Sequence, residues 1–322
     1  MIIVTGGAGF IGSNIVSALN RRGKTEILVV DDMSNGRQMH NLSDLNIADY
    51  LDKDDFKDRI LKDEKFPDIE AIFHEGACSA TTEWDGRYLM RNNFEYSKLL
   101  LHWSQKIKAQ FLYASSASVY GLGENGFEEQ RYCERPINMY AYSKFQFDQY
   151  VRSFKGKLTS QVAGFRYFNV YGPREDHKGL MASTIYHFNN QVIEGGRVKL
   201  FEGHNGHNNG EQARDFVFVD DCVKVNLWFL DNPTKMGIFN VGTGVARTFN
   251  DVASCVLGWN GGGHVDYIEF PQHLKGSYQD YTCADLSALR SIGYKEDFSA
   301  IEVGIPSYLG RLGRKSVANS IY

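Results

Sequence analysis

The sequence predicts an α/β protein: a doubly wound parallel sheet covered by helices on both faces, with a smaller C-terminal α/β lobe beside it. Three observations carry this reading. Short, continuously apolar runs alternate with stretches of helical spacing, a glycine-rich turn joins the first run to the first helix, and the alternation breaks near residue 170. Strands buried on both faces read as unbroken apolar runs because neither face meets water.

Ile2, Ile3 and Val4 form the first run, and residues 11–22 carry helical spacing that Gly23 stops. Residues 27–30 make a second buried strand ending at Asp31. Runs at 71–74, 111–114 and 162–165 repeat the theme, with helical candidates at 89–106 and 141–152 between them. A loop-rich stretch begins at Asn169, and the polar Gly/Asn segment 204–210 reads as an exposed loop. Residues 214–230 and 238–244 again have the pattern of strand, helix and strand. The expected organisation is a first unit over 1–170, rejoined by about 214–243, with 171–322 mainly a second unit that takes in 265–270 and 286–312.

A chain of 322 residues exceeds what one core usually organises, which agrees with two lobes. The formal net charge of -4, with both signs interspersed, gives no reason to invoke nucleic acid or an anionic membrane surface. Cys78, Cys133, Cys222, Cys255 and Cys283 are scattered with no Cys-x-x-Cys pair, so neither a disulfide framework nor a zinc site is indicated. His204 and His207 stand in a Gly/Asn loop without a third ligand of suitable spacing, and no metal is expected. No basic and apolar leader pattern is visible, and no run approaches the ~20 apolar residues of a membrane span. The expected location is the cytoplasm.

Gly6, Gly9 and Gly12 form a Gly-x-x-Gly-x-x-Gly turn between strand and helix. Missing side chains let the backbone turn tightly and approach a pyrophosphate, while the helix N-terminus offers free N–H groups and a partial positive charge. Asp31 ends the next strand, where a carboxylate would meet the adenosine ribose hydroxyls. The pattern is that of a Rossmann-like dinucleotide site. Asp31 and Asp32 would repel a ribose 2′-phosphate, whereas Arg37 and Lys53 could neutralise one.

Tyr140 and Lys144 are four residues apart at the start of a predicted helix and so share a face. A phenol with a pKa of about 10 is a poor base at neutral pH, but a nearby ammonium favours the phenolate. That phenolate can take a hydroxyl proton while the carbinol carbon gives hydride to a nicotinamide. Ser116, following the 111–114 run, could orient the same hydroxyl.

TGGAGFIGSN, ASSASVYG, YAYSK, FRYFNVYGPR and RDFVFVDD together resemble the extended short-chain dehydrogenase/reductase superfamily over nearly the whole chain. Within it, HEGACSATTEWDG (from His74), NVYGPREDHKG (from Asn169), KLFEG (from Lys199) and LKGSYQ (from Leu274) resemble the ADP-glyceromanno-heptose 6-epimerase family. The resemblance implies an isomerase that oxidises and re-reduces C6″ of an ADP-heptose for lipopolysaccharide core supply, as a homo-oligomer, a pentamer by that resemblance. It implies that Tyr140 and Lys178 serve as bases for two orientations of the carbinol.

The same resemblance places cofactor contacts at Phe10, Ile11, Asp31, Asp32, Lys53, Glu75, Gly76, Ala77, Cys78, Ser79, Asn92, Lys144 and Val170. Substrate contacts fall at Asn169, His187, Phe201, Glu202, Gly203, Arg214 and Tyr278, with Leu180 and His204 beside them. A planar guanidinium at Arg214 suits a diphosphate. The chain departs from the family at Asp32, usually Asn, at Gln38, usually Lys, and at Leu180, usually Ser. NADP is expected, with NAD as the alternative. Two other readings remain: a UDP-hexose 4-epimerase, which shares Ser116, Tyr140 and Lys144 without needing Lys178, and a non-catalytic dinucleotide-binding protein.

Overall fold

A computed structural model describes residues 1–154, 156–272, 275, 276 and 278–319. Leu274 and Ser277 of the LKGSYQ segment lie outside the described residues. The chain builds β1 (Ile2–Thr5), α1 (Phe10–Arg21), β2 (Ile27–Asp31), β3 (Asp49–Asp52), α2 (Lys53–Leu61), β4 (Ala71–His74), α3 (Gly86–Leu89), α4 (Tyr96–Ile107), β5 (Gln110–Ser116), α5 (Met139–Ser153) and β6 (Val162–Tyr167). A π-helical segment, Met90–Glu95, joins α3 to α4. Then come β7 (Asn169–Tyr171), α6 (Thr184–Gly195), β8 (Arg197–Phe201), β9 (Ala213–Arg214), β10 (Phe216–Phe218), α7 (Val219–Asp231), β11 (Gly237–Val241), β12 (Arg247–Thr248), α8 (Phe249–Trp259), β13 (His264–Ile268), α9 (Ser287–Ser291) and α10 (Ile301–Asn319). Among the described residues no helix is long and apolar enough to cross a membrane.

Seven strands form one sheet in the order β11-β6-β5-β4-β1-β2-β3, and every pair in it is parallel. This is the doubly wound sheet that the apolar runs predict. Its two faces are covered by separate cores. Val4, Val29 and Phe73 pack with α1 and α7 residues such as Ile15 and Val223, while Ile3, Ile72 and Phe111 pack with Phe56, Leu100 and Phe147 from α2, α4 and α5. The strand order reverses between β1 and β4, so the connections leave in opposite directions and open a crevice at the carboxyl ends of those strands.

β11 pairs with β6, and α7 packs on α1, which brings 219–241 back to the sheet after the chain has left it. A second core joins Ile185 and Phe188 of α6, Leu200 of β8, Val252 of α8 and Ile305 of α10, with β13 pairing alongside β8. The 286–312 stretch, expected in the second lobe, divides. Leu289 and Tyr294 sit in the core of the main sheet, because the Tyr294 ring meets Trp228 of α7 edge-on at 5.6 Å; Ile301 to Leu309 join the second core.

Candidate active site

The crevice is built from backbone first. Gly6 leaves β1 at φ +67, and a Cβ there would lie 2.5 Å from the backbone nitrogen of Gly76; at Gly12 one would lie 2.2 Å from the Gly6 carbonyl oxygen. Side chains at either position would fill the cradle. Gly9 then opens α1 with no side-chain cap, leaving the first helical N–H groups to whatever anion lies above them. Two adjoining cavities of about 400 and 210 Å³ run across this turn and share Gly6, Asp31, Gln38, Gly76 and Ala77. An uncapped helix start under a side-chain-free turn, with a long cleft to either side, fits a nicotinamide dinucleotide.

The smaller cavity is lined by Asp31, Asp32, Lys53, Cys78 and Asn92. Asp31 accepts from Ala8 N at 2.8 Å and Asp32 N at 2.7 Å; burial still raises its carboxyl, outweighing those donors. Lys53 lies 3.6 Å from Asp32 and 3.0 Å from Asp54. Arg37 is exposed and lines neither cavity.

The larger cavity holds the reactive groups. Asn138 starts α5 by accepting from Ala141 N at 2.8 Å, so that Tyr140 and Lys144 both line the cleft. Lys144 Nζ donates to the Ala114 carbonyl at 2.8 Å. Burial pushes that ammonium down to about 8, against the attraction of Glu75 and Asp148. Ser116, at the end of β5, hydrogen-bonds the Tyr140 phenol. The expectation that Lys144 would depress this phenol needs correcting for the chain alone. Burial pushes Tyr140 up, Cys78 and Glu75 add to the rise, and only the Ser116 hydrogen bond opposes it. The Lys144 ammonium is directed at Ala114, Glu75 and Asp148 instead.

Lys178 enters the same cleft from the turn Asp176–Met181, with Nζ 5.3 Å over the Phe10 ring. Burial lowers its ammonium, and Glu175 opposes that shift. Tyr140 and Lys178, from separate segments of the chain, therefore share one cavity.

The floor between β1 and β4 is pinned by buried polar groups. His74 reaches Thr5 Oγ1 at 2.6 Å and Ser97 Oγ at 2.7 Å, and burial pushes its imidazole down to about 3, so it stays neutral. Asn93, in the π-helical segment, accepts from Cys78 N at 2.9 Å and donates to Cys78 O and Ser143 Oγ, both at 3.0 Å. That holds the HEGACS loop against the helix bearing Lys144. π-bulges of this kind recur at functional sites because they re-aim side chains.

Glu75 is the least satisfied group of this floor. Its Oε1 accepts from Tyr167 at 3.2 Å, whereas Oε2 is buried without a partner. Burial raises the carboxyl to about 7, more than Lys144 and Tyr167 lower it. Between about pH 4.5 and 7 the folded chain thus keeps a proton that the unfolded chain has released, so this residue's contribution to stability falls as pH rises. Glu75→Gln is expected to remove that slope. In urea denaturation of the cofactor-free proteins, the variant should gain on the parent from about pH 5 to about pH 7.5. Parallel pH curves for the two would contradict the buried-carboxyl account.

Of the substrate candidates, Arg214, Phe201 and Tyr278 come together. Arg214 is buried, lies 4.8 Å over the Tyr278 ring, and donates to Ala213 O at 3.0 Å. Phe201 meets Tyr278 at 6.3 Å. Among the described residues no carboxylate pairs with Arg214, and burial lowers its guanidinium against the pull of Tyr278 and Asp280. Glu202, Gly203 and His204 border a separate shallow depression, where the His204 ring meets Phe270 at 4.2 Å, tilted by 50°. Val170 lines the main cleft; Asn169 is exposed, Leu180 is 94% exposed, and His187 Nε2 lies 3.3 Å from Leu180 O. Thr81, Ser115, Tyr167, Phe168, His177 and Met181 also line the cleft and were not singled out from the sequence. Tyr167 and Phe168 lie inside FRYFNVYGPR, Ser115 inside ASSASVYG, Thr81 inside HEGACSATTEWDG and His177 inside NVYGPREDHKG, so the motifs carried the signal; Met181 lies outside them and carried none.

Fold and crevice together define a nicotinamide-dinucleotide enzyme of the doubly wound α/β class. The chain belongs to the NAD dependent epimerase/dehydratase family, which it matches over residues 2–242. It is 59% identical over 309 residues, 96% of each chain, to the ADP-L-glycero-D-manno-heptose-6-epimerase of Alkalilimnicola ehrlichii, which bears out the resemblance read from HEGACSATTEWDG and NVYGPREDHKG. The crystal structure of Helicobacter pylori ADP-L-glycero-D-manno-heptose-6-epimerase matches with a TM-score of 0.83 at 30% identity, covering 97% of this chain and 96% of that one. A Thermus thermophilus UDP-glucose 4-epimerase solved in complex with NAD matches at 0.77 and 26% identity, over 96% and 97% of the two chains.

Proposed function

We propose that this protein is an epimerase interconverting ADP-D-glycero-β-D-manno-heptose and ADP-L-glycero-β-D-manno-heptose at C6″. The observation that carries the reading is the meeting of Ser116, Tyr140, Lys144 and Lys178 in one cleft beside the dinucleotide crevice. Kinship to a protein named for this activity, at 59% identity, supports the substrate class.

A carbinol that changes configuration presents its hydroxyl in two directions, so its proton must be handled from two sides. Tyr140 takes the proton in one orientation, with Ser116 directing the hydroxyl toward it. Lys178, whose amine is made more available by burial, takes it in the other. A nicotinamide dinucleotide held over the Gly6, Gly9 and Gly12 turn would supply the reversible hydride chemistry needed at C6″. Lys144, tied to the Ala114 carbonyl, would hold the cofactor in the cleft. Arg214 supplies the cation for the diphosphate, and Phe201 with Tyr278 lines the nucleotide end.

The dinucleotide unit of this reading is 1–170 rejoined by about 214–243, supported by β11 on β6; 171–322 mainly form the substrate unit, supported by the separate second core. The enzyme supplies heptose for lipopolysaccharide cores from the cytoplasm and works as a homo-oligomer, pentameric by resemblance. NADP is the proposed cofactor, and Lys53, which lines the smaller cavity, would be the cation to hold its 2′-phosphate. NAD is the second reading, favoured by Asp32 beside Lys53 and by Arg37 outside the cleft. The mass of the cofactor released from purified protein decides between them. Incubation with each ADP-heptose epimer and with UDP-hexoses, followed by product NMR, tests the function. Inverted C6″ configuration in ADP-heptose is expected; turnover of a UDP-hexose instead, with ADP-heptose unchanged, would overturn it.

A further inference from the structure

We propose that Glu175 is the positioning residue for Lys178. Its buried carboxylate closes both ends of the loop that carries the lysine and supplies the negative charge facing the ammonium. The inference rests on the proposed role of Lys178 as the second acid–base group.

Glu175 lies one turn before Lys178 and is wholly buried. Gly172 N donates to its Oε1 at 3.3 Å, the Ser183 hydroxyl to the same oxygen at 2.7 Å, and Ser183 N to Oε2 at 2.5 Å. One carboxylate thus ties position 172 to position 183 across the whole segment that holds Lys178. Within the loop, Lys178 N donates to Glu175 O at 3.0 Å. Outside it, Asn14 donates to Pro173 O at 2.9 Å, and Arg174 makes a forked pair with Asp44 at 2.9 and 2.7 Å. The base of the loop is therefore fixed to the dinucleotide half, and its far end depends on Glu175.

The charge matters as well as the shape. The Lys178 amine is turned inward over Phe10, burial lowers its affinity for a proton, and Glu175 is the group that opposes this. Glu175 in turn keeps its charge only against burial, which raises it despite the donors from Ser183 and Gly172. Tyr308 of α10 faces the carboxyl, and Asp176, His177 and Tyr186 complete the titratable surroundings. A glutamine could not take its place, because the amide nitrogen cannot accept from Ser183 N and the side chain carries no charge.

The test compares Glu175→Gln, Glu175→Asp and Lys178→Met with the parent, each purified with its cofactor. Lys178 acetylation by acetic anhydride is followed by peptide mass spectrometry across pH, alongside the pH profile of epimerisation. Removing the carboxylate lowers the lysine's pKa further, so free amine persists to lower pH. In Glu175→Gln the labelling midpoint should fall by about one unit, making labelling about tenfold faster at a fixed pH below it. The limb of the rate profile that follows Lys178 should move with it. Glu175→Asp, with its charge withdrawn, should shift less in the same direction. A loop role without electrostatics would lower the rate and leave the midpoint in place, which overturns the proposal. If Glu175→Gln does not fold, an unmoved midpoint in Glu175→Asp does the same. Parent-like turnover by Lys178→Met would instead sink the second-base reading, leaving the labelling shift to report on Glu175 independently.

Discussion

Tyr140→Phe is expected to lower kcat by about 10² to 10⁴-fold, the range lost with a positioned proton acceptor. The substitution keeps the ring that fills the cleft and removes only the oxygen that Ser116 contacts, so cofactor content should match the parent. In the cofactor-free chain, burial holds this phenol above its ordinary value. The positive charge of an oxidised nicotinamide bound in the cleft would favour the phenolate. Steady-state assay by NMR, with cofactor measured on the same preparation, checks both halves. Parent-like turnover would remove Tyr140 from the chemistry.

Lys178→Met should abolish net epimerisation to a comparable degree, for a different reason. In the proposed mechanism each conversion uses one base on the way to the ketone and the other on the way back. A variant with only Tyr140 should still oxidise the epimer whose hydroxyl faces the phenol, and stall after it. In a single turnover with each epimer separately, transient nicotinamide reduction should survive with one and vanish with the other. Equal loss with both would mean that Lys178 holds the loop or the substrate rather than handling the proton. An unaffected steady-state rate would move the activity toward a 4-epimerase, which needs no second base at this position.

Much of the fold could be read from residues because strands buried on both faces leave unbroken apolar runs. Ile2 to Val4, the 71–74 run and the 111–114 run became β1, β4 and β5, and the glycine spacing located the crevice. What escaped was decided by long-range packing. β3 is a short edge strand with the polar sequence Asp-Tyr-Leu-Asp, and the π-helical segment has no pattern distinguishing it from the α-helices on either side. Leu289 and Tyr294 look like any other helical spacing until Trp228 is beside them. Within the site, the Tyr140–Lys144 spacing fixed a shared helix face. The hydrogen bond of Lys144 to the Ala114 carbonyl and the burial of Glu75 beside it belong to the tertiary fold, and the spacing alone does not show them. Lys178 sits in a turn where residue chemistry favours an exposed lysine, and only the flanking motif pointed to it.

In the proposed mechanism one carbon loses and regains the same hydride in the cleft lined by Tyr140 and Lys178. The most direct measurement uses ADP-heptose carrying deuterium at C6″ in ordinary water, with the product examined by NMR and mass spectrometry. Oxidation and return through the cofactor predict an inverted centre that still carries its deuterium. Loss of the label to solvent during inversion would show that C6″ is deprotonated and reprotonated instead, and would contradict the account.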